Sequence, residues 1–158
     1  MPSPDTLQRF IARVESNAHV EAVQEFYTEG ATLQENQDAP RVGRDAAVAN
    51  ERRVLARARS ISSICVRPAL VTGDHVVIRW IFRFEWLDGS VTRMEELAWQ
   101  RWEGERIAEE TFSTTRRSAC PGRLTRPERA LSLGHARHLA GFPALQDLRL
   151  RLPRAAGR

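Results

Sequence analysis

The chain has no lysine, a single tyrosine, only two cysteines, and no apolar run near the roughly 18 residues that a membrane-spanning helix requires. Cys65 and Cys120 are too few for a disulfide framework or a four-cysteine zinc site. The opening Met1-Pro2-Ser3-Pro4-Asp5 lacks a basic stretch followed by an apolar one, so no signal peptide is visible and a cytoplasmic location is expected. There is no Gly-rich phosphate loop, no Gly-x-Ser-x-Gly elbow and no His-Glu-x-x-His pair. No cofactor and no metal are expected.

What is present is 158 residues, 42% hydrophobic, which suits one domain with an ordinary core. The net charge of +4 and pI near 10.3 would suggest a nucleic-acid partner if the charge were spread evenly. It is not. Residues 1–112 hold 14 Arg against 18 Asp and Glu, a balance of −4; residues 113–158 hold 10 Arg against Glu128 and Asp147, a balance of +8. The arginine-rich end has Phe142 as its one aromatic residue, so base stacking is not expected, and nucleic acid is an unexpected partner.

Hydrophobic spacing predicts helices first and strands after. Asp5 opens a helix to about Ser16 with Leu7, Phe10, Ile11 and Val14 on one face. A second follows Asn17-Ala18-His19, with Val20, Val23, Phe26 and Tyr27 apolar, and ends at Glu29-Gly30. Residues 31–35 read as a short strand, 36–43 as a polar loop, and 45–58 as a third helix. From Ser60 the period becomes two, with strands over 61–72, 75–87, 91–102 and 106–112. The separators are Gly73-Asp74, Asp88-Gly89 and Glu103-Gly104-Glu105, and Asp-Gly between alternating runs is a strong hairpin signal. The expected class is α+β, helices on one face of a curved antiparallel sheet.

A two-residue turn at Asp88-Gly89 would place Trp80, Phe82, Phe84, Leu97 and Trp99 on one aromatic-rich face, with Arg93 and Glu95 as its charged members. Charges on such a face are costly unless paired or turned to a wet pocket. Glu110 joins that face from the last strand, or Glu109 does if the preceding loop is one residue longer. Two close carboxyls in an apolar site would raise at least one pKa, which suits proton transfer. A single bulge would instead turn these acids to solvent.

The stretch Phe26-Tyr27-x-x-x-Ala31-Thr32-Leu33-Gln34-Glu35, followed by Pro40-x-x-Gly43-x-Asp45-Ala46, resembles the nuclear transport factor 2-like superfamily. The SnoaL-like polyketide cyclase and ketosteroid isomerase branches are the most similar. Trp99-Gln100-Arg101-Trp102-Glu103-Gly104-Glu105-Arg106-Ile107 resembles that family's last hairpin. Over residues 5–112 the resemblance implies a cone-shaped fold, a curved antiparallel sheet against three helices with a ligand cavity at its open end. It implies Glu35 as general base, in the position of the isomerases' aspartate. It also places Phe10 (or Ile11) at the oxyanion-hole tyrosine and Ala98 at the protonated aspartate, a case the ketosteroid isomerases exemplify. Neither can donate a hydrogen bond, and losing one such donor costs on the order of 10²–10³ in rate, which argues against steroid isomerisation.

The site expected from these residues has Glu35, Glu95 and Glu110 as acid–base groups and Tyr27, Trp80, Phe82, Phe84, Arg93, Trp99 and Phe112 as ligand-binding walls. Three functions stay open. The domain is a cofactor-independent acid–base enzyme of isomerase, cyclase or hydratase type acting on a small apolar or carbonyl compound, or a non-catalytic ligand-binding module. The third is a homodimerisation module using Arg79, Ile81, Arg83, Glu85 and Met94. Beyond Phe112 a basic, disordered tail is expected, with a weak helix near 127–139. Removing one T from TTC TTC TAC GAC CCG GCG CAG CGC turns Phe-Phe-Tyr-Asp-Pro-Ala-Gln-Arg into the Phe-Ser-Thr-Thr-Arg-Arg-Ser-Ala of residues 112–119, so the tail reads as frameshift-derived. His135, His138 and Cys120 lie in it without a third stable ligand for a metal. His75 is expected at a strand edge and Cys65 buried and inert.

Overall fold

A computed structural model describes residues 1–119. The weak helix at 127–139, Cys120, His135, His138 and the remainder of the expected tail lie outside the described residues. Helix α1 (Pro4–Glu15) is capped by Ser3, whose hydroxyl accepts from the Thr6 amide at 3.2 Å; the cap is Ser3 rather than Asp5. Its buried face is Thr6, Leu7, Phe10, Ile11 and Val14. Asn17, in the left-handed region at φ 63°, ends the run and leads to α2 (His19–Phe26).

The first strand starts earlier than its spacing predicts. β1 (Tyr27–Glu35) takes in Tyr27, and Glu29-Gly30 lies inside an irregularity of its pairing rather than at a helix end. A two-residue strand, β2 (Arg41–Val42), precedes α3 (Arg44–Leu55). The remaining strands are β3 (Ala58–Thr72), β4 (His75–Trp86), β5 (Val91–Glu103) and β6 (Arg106–Ala119). One six-stranded sheet has the order β2-β1-β6-β5-β4-β3, parallel only between β1 and β6. The curved sheet stays open, with β2 and β3 at its edges, and the helices cover its inner face. This is the α+β cone expected.

The core lies between the helices and β4, β5 and β6. Phe10 is at its centre, edge-on to Phe26 (5.4 Å), Trp102 (5.8 Å) and Trp80 (6.4 Å). Ile11, Ile78, Ile107 and Trp102 are at most 1% exposed. Each such side chain, withdrawn from water, contributes about 1.5–3 kcal/mol. Among the described residues no helix is long and apolar enough to cross a membrane.

Two features depart from expectation. The β4–β5 loop has three residues, Leu87-Asp88-Gly89, closed by the Trp86 amide on the Ser90 carbonyl (2.9 Å), with Gly89 at φ 81°. Gly in the left-handed position is what a three-residue hairpin loop requires. Pairing therefore shifts by one: Ile81 faces Glu95, Trp80 faces Glu96 and Ile78 faces Ala98. The slip turns β5 over, so Ala98, Gln100 and Trp102 are buried while Leu97 and Trp99 are half exposed on the outer face. The second departure is that β6 continues seven residues past Phe112 and pairs with Val91–Leu97.

The register yields an expected outcome. Ala98→Asp places a charge in a fully buried site and should lower unfolding stability by several kcal/mol, on the order of the cost of an unpaired buried polar group. Leu97→Asp should cost under about 1 kcal/mol. Urea denaturation of the two variants checks this, and the opposite ranking would restore the two-residue turn.

Candidate functional site

The inner face of the sheet is a ladder of rows set by pairing: Phe84–Thr92–Ser118, Phe82–Met94–Arg116, Trp80–Glu96–Thr114, Ile78–Ala98–Phe112 and, deepest, Val76–Gln100–Glu110. Between these rows and the helices lies a cavity of about 490 Å³, within the usual range for small-molecule sites. Tyr27, Glu35, Trp80, Phe82, Phe84, Glu110 and Phe112 border it, as expected.

Arg93, Glu95 and Trp99 do not. Glu95 is exposed and ion-paired with Arg79 (2.9 Å), and Arg93 borders the same outer surface. Trp99 is 53% exposed, its ring against His75. The three-residue loop is the cause: with β5 shifted by one, Met94 and Glu96 take the inward places. Met94, expected on the interface, lines the cavity. Glu109 points outward to Arg101 (2.7 Å), since the Gly104-Glu105 turn has two residues and a bulge follows at Arg101/Trp102.

Besides Glu35, three carboxyls line the cavity: Glu51 from α3, Glu96 from β5 and Glu110 from β6. Glu110 is held at both oxygens. Gln100 donates to Oε1 at 2.7 Å and the Tyr27 hydroxyl to Oε2 at 2.5 Å, while the Trp102 indole donates to the Gln100 carbonyl at 3.1 Å. Burial pushes the Glu110 pKa up, and the two donors pull against that. Burial and the Glu110 charge together drive the Tyr27 pKa far up, so its proton stays on the phenol.

Glu96 has no hydrogen-bond partner among the described residues. Burial, then the charges of Glu110 and Glu51, pushes it up to about 8, so at neutral pH it is mostly the neutral acid. Glu51 is also raised, by burial and by Glu110, with Arg41 opposing. Burial keeps His19 neutral. Its Nε2 lies 2.9 Å from the Ser63 hydroxyl, which donates to Asn17 Oδ1 at 2.8 Å, so Ser63 can only accept from His19. That assigns the proton to Nε2 and leaves Nδ1 as a bare lone pair 3.8 Å from Glu51. Glu35 lies on the wall but is engaged, accepting from Thr114 at 3.3 Å and ion-paired with Arg116.

Glu96, Glu51 and His19 escaped the sequence-based expectation. A signal for Glu51 existed: it follows Ala47 by four and Val48 by three, both buried, which puts it on the inner face of α3. For Glu96 the signal was the small Ala98 two residues on, matched to a tight part of the cone. Phe10, matched to an oxyanion-hole tyrosine, is a core ring, and Ala98 is fully buried against Ile78 and Phe112. Cys65 is buried and free. Among the described residues no group of three His, Cys, Asp or Glu side chains is placed to hold a metal ion.

Comparison with known proteins places this geometry. The family model of the SnoaL-like domain matches residues 7–110. No curated protein matches the chain in sequence. Among solved structures, a protein of ketosteroid isomerase-like fold from Catenulispora acidiphila, in complex with trimethylamine, has a TM-score of 0.59 at 17% identity, covering 70% of this chain and 85% of that one. A candidate SnoaL-like polyketide cyclase from Mesorhizobium loti has a TM-score of 0.60 at 16% identity, covering 71% and 98%. An NTF2-like protein of unknown function from Cytophaga hutchinsonii gives 0.58 at 13%, covering 70% and 97%. At these identities the likeness is one of fold.

The raised Glu96 pKa has a consequence for stability. Between the ordinary carboxyl value of 4.5 and about 8 the folded chain holds this proton more firmly than the unfolded one, so stability falls as pH rises through that window. Glu96→Gln should match the parent near pH 4 and exceed it at pH 8.5 by at least about 1.4 kcal/mol, the equivalent of one pKa unit. Urea midpoints at the two pH values measure the difference, and parallel pH profiles would show that Glu96 ionises freely.

Proposed function

The chain belongs to the SnoaL-like domain family, and on that premise we propose that its cone binds a small apolar or carbonyl-containing molecule and exchanges a proton with it through Glu96, without a cofactor. The observation that carries this is the pair of carboxyls with different surroundings: Glu110 with both oxygens occupied by donors, Glu96 with none. Two such groups in one cavity divide acid and base roles between them. Glu96, neutral at pH 7, donates to a ligand carbonyl; the Trp80, Phe82 and Phe84 rings hold the apolar part and keep water away. Glu35, the base implied by the sequence resemblance, is a weaker candidate because Arg116 and Thr114 already engage it. The Catenulispora relative's complex with trimethylamine supports a cavity of small-ligand size.

Native mass spectrometry of the full chain identifies a bound carbonyl compound, and turnover of that compound is then followed in two variants. Glu96→Gln should lower turnover by on the order of 10²–10⁴, the usual contribution of a general acid or base, and Glu35→Gln by less than tenfold. Turnover that depends on Glu35 instead would return the role to that residue. Binding without turnover in the parent would leave the module reading.

We propose also that the outer face joins two copies of the chain. Leu70, Val77 and Trp99 form one row and Leu97 lies beside them, a contiguous apolar surface with Leu70, Leu97 and Trp99 at least half exposed. Arg79, Ile81, Arg83 and Glu85 share that face, whereas Met94 does not. Sedimentation should show a dimer that Trp99→Arg converts to monomer with ligand binding intact; a monomeric parent would refute this.

A further inference from the structure

We infer that the cavity's ligand is a small organic cation, an amine with apolar substituents, whose ammonium sits between Glu51 and Glu96 and whose carbon groups pack on Trp80, Phe82 and Phe84. The inference rests on the proposed ligand cavity and names its substrate class.

Of the four acids that line the cavity, Glu110 is satisfied by the chain through Gln100 and Tyr27, and Glu35 through Arg116 and Thr114. Glu96 has no partner among the described residues. Glu51 has a side-chain hydrogen bond with Asn50 and lies 3.8 Å from the Nδ1 of His19, a nitrogen that the Asn17–Ser63–His19 chain leaves without a proton to give. Glu96, without a donor, and the under-neutralised Glu51 therefore share an aromatic-walled space, which costs free energy unless something positive or a proton accompanies them. Two of the bordering arginines are engaged elsewhere: Arg116 is bound to Glu35, and Arg57 lies over the Trp86 ring at 5.7 Å. Arg41, whose buried Nε has no hydrogen-bond partner among the described residues, lends its charge to Glu51 from beyond ion-pair distance and leaves Glu96 unpaired. Among the described residues no arginine lies within 4 Å of Glu51 or Glu96.

A proton can meet this need in the empty protein, and a cation can meet it better. The ring faces of Trp80, Phe82 and Phe84 carry negative quadrupole that attracts an ammonium, the physics of aromatic cages for quaternary amines. An uncharged ligand of the same shape gains neither term. On binding, the ammonium takes its place beside the Glu96 carboxylate and the Glu96 proton leaves to solvent; no other bond changes.

Calorimetry on the full chain tests this with choline against 3,3-dimethylbutan-1-ol, which replaces the nitrogen by carbon and removes the charge while keeping the shape. Choline is expected to bind at least tenfold more tightly at pH 8.5. Its affinity should fall by up to about tenfold per pH unit below 8, with proton release visible in buffers of different ionisation enthalpy. Glu96→Gln should abolish the proton release, and Glu51→Gln should weaken the preference, while both still bind the alcohol. Equal affinities for the two probes, or choline binding indifferent to pH, would overturn the inference and leave the ligand cavity standing. Binding of neither probe would overturn both. A choline preference that survives both substitutions would show that the seat is not these carboxyls.

Discussion

The carboxylate of Glu110 is the constraint around which the cone is arranged. It is buried in the deepest row of the sheet, and such a group persists only when hydrogen bonds replace most of its hydration. Gln100 supplies one from β5 and Tyr27 the other from β1, the two strands that flank β6. That second bond ties the start of β1 to β6, the single parallel pairing in the sheet. Without it one oxygen of the buried carboxylate would be left with no donor. The satisfied acid also sets the electrostatics of the rest: its charge contributes to raising both Glu51 and Glu96.

The aromatic rings do a different task. Phe10 from α1 meets Phe26, Trp80 and Trp102 edge to face, so helix and sheet are joined through aromatic rings. Phe82 and Phe84 continue the same column past the core and become cavity wall, with Trp86 stacked on Phe84 at 5.1 Å. Core and binding surface are thus one continuous stripe on β4. Burial ends where the helices end, and the stripe beyond them is left for a ligand.

The order of elements, the α+β class and the aromatic face of β4 were legible in the sequence because each rests on local periodicity. The face of β5 was not, and the reason is specific. Asp88-Gly89 serves a two-residue turn or the end of a three-residue loop equally well, and only the register distinguishes them. Counting apolar residues favours Leu97 and Trp99 over Ala98 and Gln100, yet the tight part of the cone admits the small Ala98 and needs the amide of Gln100 for Glu110. One residue of slip moved Arg93, Glu95 and Trp99 out of the site and Glu96 into it. Tyr27, Trp80, Phe82, Phe84 and Glu110 border the cavity as the alternation suggested, because they lie on segments whose pairing does not depend on that loop.

The last strand divides the cavity along its own length. Its first half, ending at Phe112, supplies Glu110 and the floor; its second half, Ser113 to Ala119, supplies Arg116 and Ser118 at the mouth and pairs with the half of β5 that carries Glu96. Charge composition changes at the same residue, from acidic before Phe112 to basic after it. One strand therefore carries both signs of charge along the cavity wall, with half-exposed Arg116 toward one end and buried Glu110 toward the other, so the electrostatic potential inside the cone has a direction as well as a magnitude.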